Sequence, residues 1–187
     1  MTHFVVVAEE SNAAYIAQEE LFAGALSKYG LALGNAVVRG VTPQVSGSLE
    51  LNLADPQNAL GSGQFSVDIS LLKTEQDLRD GWIQENGPRL GGFPVADFVP
   101  TAIEGAPAVY TEGQEVSFRL LGDLTVREIT QPVVFAVTAT LADGTIWATG
   151  MADLKMTDFG IEPPSFVGTL TVTNEFQVEV NLVAVAQ

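Results

Sequence analysis

Few side chains in this sequence are equipped for covalent chemistry. It contains no Cys and a single His, His3. Disulfides, thiolate metal sites and Cys nucleophiles are therefore excluded. A Ser-His-Asp triad, a His-rich zinc site or a His general base would each rest on that one imidazole. One carboxylate pair stands in a motif, Asp158 and Glu162 on either side of Phe159-Gly160-Ile161. Two carboxylates flanking a bond are the minimum for glycosidase-type acid–base work, and a carboxylate-dependent hydrolase is the weakest of three functional readings. An Asp ahead of Phe-Gly more often caps a turn. Arg79-Asp80 is the other polar constellation. Its guanidinium suits a phosphate or carboxylate head group held bidentately, or an internal ion pair at a helix terminus, and the second reading is preferred. Arg119 and Arg127 are expected on solvated faces. Trp82 and Trp147 have the chemistry to stack on sugars but need no ligand to explain them.

Composition narrows the field further. The chain has 187 residues, 47% of them hydrophobic and 17% charged, which is enough for one domain with a sizeable core. A formal net charge of −15 repels phosphate backbones and anionic lipid surfaces, so neither nucleic-acid binding nor direct docking on an anionic membrane is expected. No apolar run reaches the roughly 18 to 20 residues of a membrane-spanning helix. The N-terminal residues lack the basic region and cleavage site of a signal peptide. A cytoplasmic location is the expectation as the sequence stands, and an extracytoplasmic one if a leader or anchor precedes Met1.

The elements that position these residues are mostly strands. Val45, Gly47, Leu49, Leu51 and Leu53 share one parity. Phe65, Val67, Ile69 and Leu71 alternate with Gln64, Ser66, Asp68 and Ser70, and Val116, Phe118 and Leu120 with Ser117 and Arg119. Leu170, Val172, Phe176, Val178, Val180 and Leu182 alternate with polar neighbours to the C-terminus. A period of two gives each strand one apolar and one polar face, the signature of antiparallel sheet. Asp143-Gly144 between Pro132–Leu141 and Thr145–Met156 is a strong hairpin signal. Asp55-Pro56, Gly61-Ser62-Gly63, Gly105-Ala106-Pro107 and Pro163-Pro164 mark loops. Two segments break the alternation. Thr74-Glu75-Gln76-Asp77 reads as a capping box, with Leu78, Trp82 and Ile83 at helical spacing and Asn86-Gly87-Pro88 as the stop, which predicts one short helix near 75–85. Ala13 to Lys28 has helical propensity locally.

Six motifs occur in an informative order. Ser11 to Leu21 is followed by Arg39-Gly40-Val41-Thr42 with Val45-Ser46-Gly47-Ser48-Leu49, then by Ser66 to Leu72 with Arg79-Asp80. Phe93-Pro94-Val95-Ala96-Asp97-Phe98, Gly122-Asp123-Leu124-Thr125-Val126 with Thr130 and Pro132-Val133, and Met156-Thr157-Asp158-Phe159-Gly160-Ile161 with Pro163-Pro164 complete the series. Together they resemble the YceI-like family of bacterial lipid-binding proteins over a single domain of residues 8–187. Glu128 stands where the family usually has Gly, and Gly81 where a polar residue is commoner. The resemblance implies a lipocalin-like antiparallel β-barrel whose interior holds a polyisoprenoid or quinone-related lipid. It also implies that residues 13–18 form a strand despite their local propensity.

A barrel of about eight strands has an interior just wide enough for side chains or one slender ligand. Its expected lining is Phe65, Val67, Ile69, Phe118, Leu120, Phe135, Val137, Phe176, Val178 and Val180, joined by Ile146, Ala148, Leu154 and Met156 from the strand after Asp143-Gly144. Small residues at Ala148, Gly150 and Ala152 would leave room beside Met156. Arg79 is the candidate for a head group. No catalytic residue, metal or cofactor is expected, only a bound isoprenoid as ligand. The competing reading is a β-sandwich interaction or adhesion module with an acidic contact surface. Dimerisation is left open.

Overall fold

A computed structural model describes residues 1–22, 34–167 and 169–187. The strands are β1 (Thr2–Val6), β2 (Asn12–Leu21), β3 (Gly34–Thr42), β4 (Val45–Leu51), β5 (Leu60–Asp68), β6 (Val95–Glu104), β7 (Glu115–Val126), β8 (Ile129–Ala142), β9 (Thr145–Lys155), β10 (Ser165–Phe166) and β11 (Leu170–Ala186). The helix α1 spans Asp77–Glu85.

Every pairing between strands is antiparallel, and the sheet runs β1-β4-β5-β6-β7-β8-β9-β11. A further pairing of β1 with β11 closes this ring of eight strands. β2 continues the line of β1 after a 3₁₀ turn at Ala8–Glu10 and pairs with the first part of β11, while β3 pairs with β2. Pairing therefore circulates through one closed wall, and the two-sheet sandwich considered from sequence is not the architecture. Closure of the ring creates an interior, while β3, paired along its length with β2 alone among the described residues, stays at the end of the strand order.

Alternation decides which side chains enter that interior. On β8, Val133, Phe135, Val137 and Ala139 are buried while Val134 and Ala136 are exposed; on β9, Ile146, Gly150 and Ala152 are buried while Trp147, Thr149 and Asp153 are exposed. The β8–β9 turn has left-handed backbone at both Asp143 (φ 49°) and Gly144 (φ 70°), the geometry whose twist matches the flanking strands. β11 keeps its inward parity although its register with β2 shifts between Val172 and Phe176. The pairing moves from Val172–Glu19 to Phe176–Ala17, an offset of two residues, so even-numbered residues of β11 still point inward.

Residues 13–18 are strand, as the family resemblance implied and local propensity did not. Glu19 to Leu21 continue the same strand, and the last part of the locally helical stretch, residues 23–28, lies outside the described residues. Four expectations are corrected. Gly61-Ser62-Gly63 is not a loop but part of β5. Its glycines admit close packing: a Cβ on Gly63 would sit 2.8 Å from Leu49 and 2.9 Å from Pro100. β5 ends at Asp68, whose carboxylate accepts the Ser70 N–H (3.0 Å), and a 3₁₀ turn leaves Leu71 exposed although alternation grouped it with Ile69. Met156 begins another 3₁₀ turn rather than ending β9. Thr74 does not cap α1 directly. Gln76 is the N-cap residue, without a side-chain bond, and Thr74 is instead gripped by the Asp80 carboxylate, which accepts from its N–H (3.0 Å) and its hydroxyl (2.7 Å).

Candidate functional site

The barrel encloses a cavity of about 810 Å³. That is near the upper end of the roughly 300 to 1,000 Å³ typical of small-molecule sites. It runs the length of the barrel. At one end it is bordered by Leu53, Pro56, Ala106, Pro107 and Tyr110, from the β4–β5 and β6–β7 loops. At the other it is bordered by Arg79, Trp82 and Ile83 of α1 and by Pro164 and Phe166. Trp82 and Phe166 meet edge to face across that end, with centroids 5.4 Å apart.

All fourteen residues expected to line the interior, named above from Phe65 to Val180, border this cavity. Phe135 and Ile146 are buried, at 7% and 8% exposure, whereas Phe65, Phe118, Leu120, Val178 and Val180 are only partly buried although they point inward. Inward apolar side chains that remain accessible mark an open lumen, because a filled interior would pack them against one another. Gly150 leaves part of that space. A Cβ there would meet Phe135 at 3.5 Å and Val137 at 3.6 Å, ordinary contacts. Ala152 is buried in the cluster around Phe98 and Phe159 rather than bordering the lumen.

Polar groups enter the lining mainly near α1. Glu19, on the inward parity of β2, is 7% exposed and receives both Nε (2.9 Å) and Nη2 (3.0 Å) of Arg79. Arg79 Nη1 donates to Thr74 Oγ1 (3.1 Å) and Glu75 Oε1 (2.8 Å). Burial alone would lower the Arg79 pKa, but its bonds to Glu19 and Glu75 outweigh this and leave it raised. The bond from Arg79 in turn lowers the Glu75 pKa. Arg79 thus latches α1 to the wall, the internal use preferred from sequence. Tyr15 also faces the lumen, across the β2–β3 pair from Gly40.

The other residues singled out lie away from the cavity. Asp158 and Glu162 are exposed in the segment after β9. Arg119 forms an exposed pair with Glu104 (3.1 Å). Arg127 donates to the Gly160 carbonyl (2.6 Å) and lies 5.5 Å from the Phe93 ring centroid. Trp147 points outward at 46% exposure, and His3 is exposed on β1, held in the wall by pairing with Glu50. Among the described residues no cluster of three or more His, Asp or Glu has the arrangement of a metal site, and no helix is long and apolar enough to cross a membrane.

Tyr15, Glu19 and the α1 residues Trp82 and Ile83 were not identified as lining. The signal for the first two was available: odd positions of β2 read apolar at Ala13, Ala17 and Leu21. It was obscured by the helix-favouring run Gln18-Glu19-Glu20-Leu21.

A family model described as the YceI-like domain matches residues 16–184. No match is found among curated proteins. Solved structures share the fold at low identity. A polyisoprenoid-binding domain from Saccharophagus degradans, implicated in plant cell wall breakdown, superimposes with a TM-score of 0.70 at 12% identity, covering 98% of each chain. BcnA of Burkholderia cenocepacia gives 0.67 at 18% identity, covering 95% of this chain and 98% of its own. A YceI protein of Campylobacter jejuni gives 0.66 at 14%, covering 84% and 89%.

Proposed function

We propose, for a chain that belongs to the YceI-like family, that the barrel binds one long, slender apolar lipid of polyisoprenoid or quinone-related type and carries or stores it without chemical change. The observation that carries this reading is the lumen itself: one continuous space of about 810 Å³, bounded by strands around its girth and by α1 at one end, with apolar side chains for most of its wall. The polyisoprenoid-binding activity described for the Saccharophagus domain of the same fold supports it.

Binding in such a space is driven by transfer of hydrocarbon from water. Each buried methylene contributes up to about 0.8 kcal/mol, so a five-carbon prenyl unit contributes roughly 3 to 4 kcal/mol at most. A few units offset the cost of association. Apolar walls recognise length and girth rather than functional groups, which suits a repetitive ligand. The exposed positions of Asp158 and Glu162, away from the lumen, favour carriage over hydrolysis. The Arg79 guanidinium, with four N–H contacts to Glu19, Glu75 and Thr74, favours a structural latch over a head-group site.

Competition between a fluorescent apolar probe and linear prenyl alcohols of increasing length tests the reading. Affinity is expected to rise with each added unit and level off once the lumen is filled. Displacement independent of chain length, or none at any length, would contradict it.

A further inference from the structure

The outer wall carries a second depression, of about 330 Å³, over β8, β9 and β11. Trp147 stands in it, 46% exposed and pointing away from the lumen. The pairing registers fix what surrounds the indole. Across the strands one outward row reads Glu115, Thr140, Trp147 and Val183. Neighbouring strands lie about 4.8 Å apart, which puts Glu115 roughly 10 Å from Trp147, backbone to backbone, on one side. On the other side, the Ser11 hydroxyl accepts the Val183 N–H (3.0 Å) and ties the 3₁₀ turn of Glu10 to the end of the row. Glu10 borders the same depression.

The chemistry of this depression is one-sided. Glu10 and Glu115 are exposed, and neither has an ion-pair partner among the described residues. None of the described residues bordering it is Lys or Arg. Its donors are largely spent. The Thr149 hydroxyl donates to Asn181 Oδ1 (2.9 Å), and the Asn181 amide donates to Asn12 (3.2 Å) and Glu179 (2.9 Å). Acceptor oxygens around an accessible indole remain. A saccharide stacks on indole but needs donors as well as acceptors. A guanidinium is planar, cationic and donor-only, shaped to stack on the ring while its N–H groups reach carboxylates.

We propose that this depression docks an arginine side chain presented by a basic segment of a partner protein, with the guanidinium over Trp147 and neighbouring basic side chains toward Glu10 and Glu115. Charge complementarity extends beyond the depression, because a molecule of net charge −15 draws a basic partner from a distance. In an extended segment, alternate side chains lie about 7 Å apart on one face, so arginines at every second position suit the carboxylate–indole–carboxylate order. The depression lies outside the lumen, and docking there does not depend on the cargo.

Isothermal titration calorimetry at fixed ionic strength, with a capped heptapeptide of alternating serine and arginine, tests this against the same peptide carrying citrulline for arginine. Citrulline keeps the length and planarity and removes the charge. Wild type is expected to prefer the arginine peptide by about 10-fold or more, the sum of one cation–π contact and two exposed ion pairs. Trp147→Ala changes no charge and should weaken binding about 3- to 5-fold. Glu115→Gln and Glu10→Gln should each weaken it about 2- to 5-fold. Asp158→Asn removes an exposed carboxylate beyond the far end of β9 and should leave affinity nearly unchanged. Unchanged melting curves confirm that the variants fold, and in wild type the Trp147 indole N–H signal should shift with the arginine peptide alone. Absence of binding, equal affinity for the two peptides, an unmoved indole signal, or a loss in Asp158→Asn as large as in Glu115→Gln would each overturn the proposal.

Discussion

Arg127 and Glu128 form the two-residue turn between β7 and β8, and both have left-handed backbone, with φ of 52° and 66°. Glycine adopts that conformation freely, whereas a side-chain-bearing residue is held there at a cost of about 1 kcal/mol or more. Glu128→Gly is therefore expected to raise stability by about 0.5 to 1 kcal/mol in chemical denaturation. Arg127→Gly should gain less or lose, since Arg127 also holds the Gly160 carbonyl. The turn expected from a family glycine is retained with glutamate in its place. Ionisation offers a second check at this scale. Burial raises the Tyr15 pKa in the folded state, so its contribution is fully present below the usual value of 10.0 and is lost as pH rises above it. Alkaline unfolding should be measurably less steep in Tyr15→Phe. On the acid side, Glu75 is lowered by Arg79 and Glu179 by Arg39. Their small contributions are present above the ordinary carboxylate pKa of 4.5 and fade as pH falls through the lowered values.

Strands were the legible elements. Period-two alternation in β5, β7, β9 and β11 states which parity faces inward, and Asp143-Gly144 fixes one hairpin. β2 was not legible locally, because Gln18-Glu19-Glu20-Leu21 favours helix by propensity and its strand character comes from partners distant in sequence, at Gly34–Thr42 and Leu170–Asn181. The same is true of the Tyr15–Gly40 contact, where any Cβ on Gly40 would collide with the Tyr15 ring and which exists only once that register is known. A double-mutant cycle tests it. Gly40→Ala is expected to destabilise by about 1 to 3 kcal/mol through overpacking against the ring, and by clearly less in a Tyr15→Ala background. Additive effects would show that the two do not touch. The α1 latch predicts a comparable loss: Glu19→Ala strands a guanidinium that is 14% exposed and should cost about 2 to 3 kcal/mol by thermal or chemical denaturation.

Across the whole molecule, the lining was readable from parity but the emptiness of the lumen was not. Alternation says that Phe118, Leu120, Val178 and Val180 point inward; it does not say whether they meet. Only closure of β1 on β11 sets the girth and leaves those side chains partly accessible. An open apolar lumen makes stability and binding respond oppositely to filling. Gly150→Leu projects into the space beside Phe135 and Val137, and should leave the melting temperature equal or higher while reducing affinity for long prenyl alcohols by about 10-fold or more. Native mass spectrometry of freshly purified protein, followed by titration with a long-chain prenyl alcohol, tests the central claim most directly. A discrete added mass, released by solvent as a lipid or acquired at one equivalent of the alcohol, is the predicted result. A bare polypeptide mass that stays unchanged throughout the titration, in protein whose melting temperature does not move either, would contradict it.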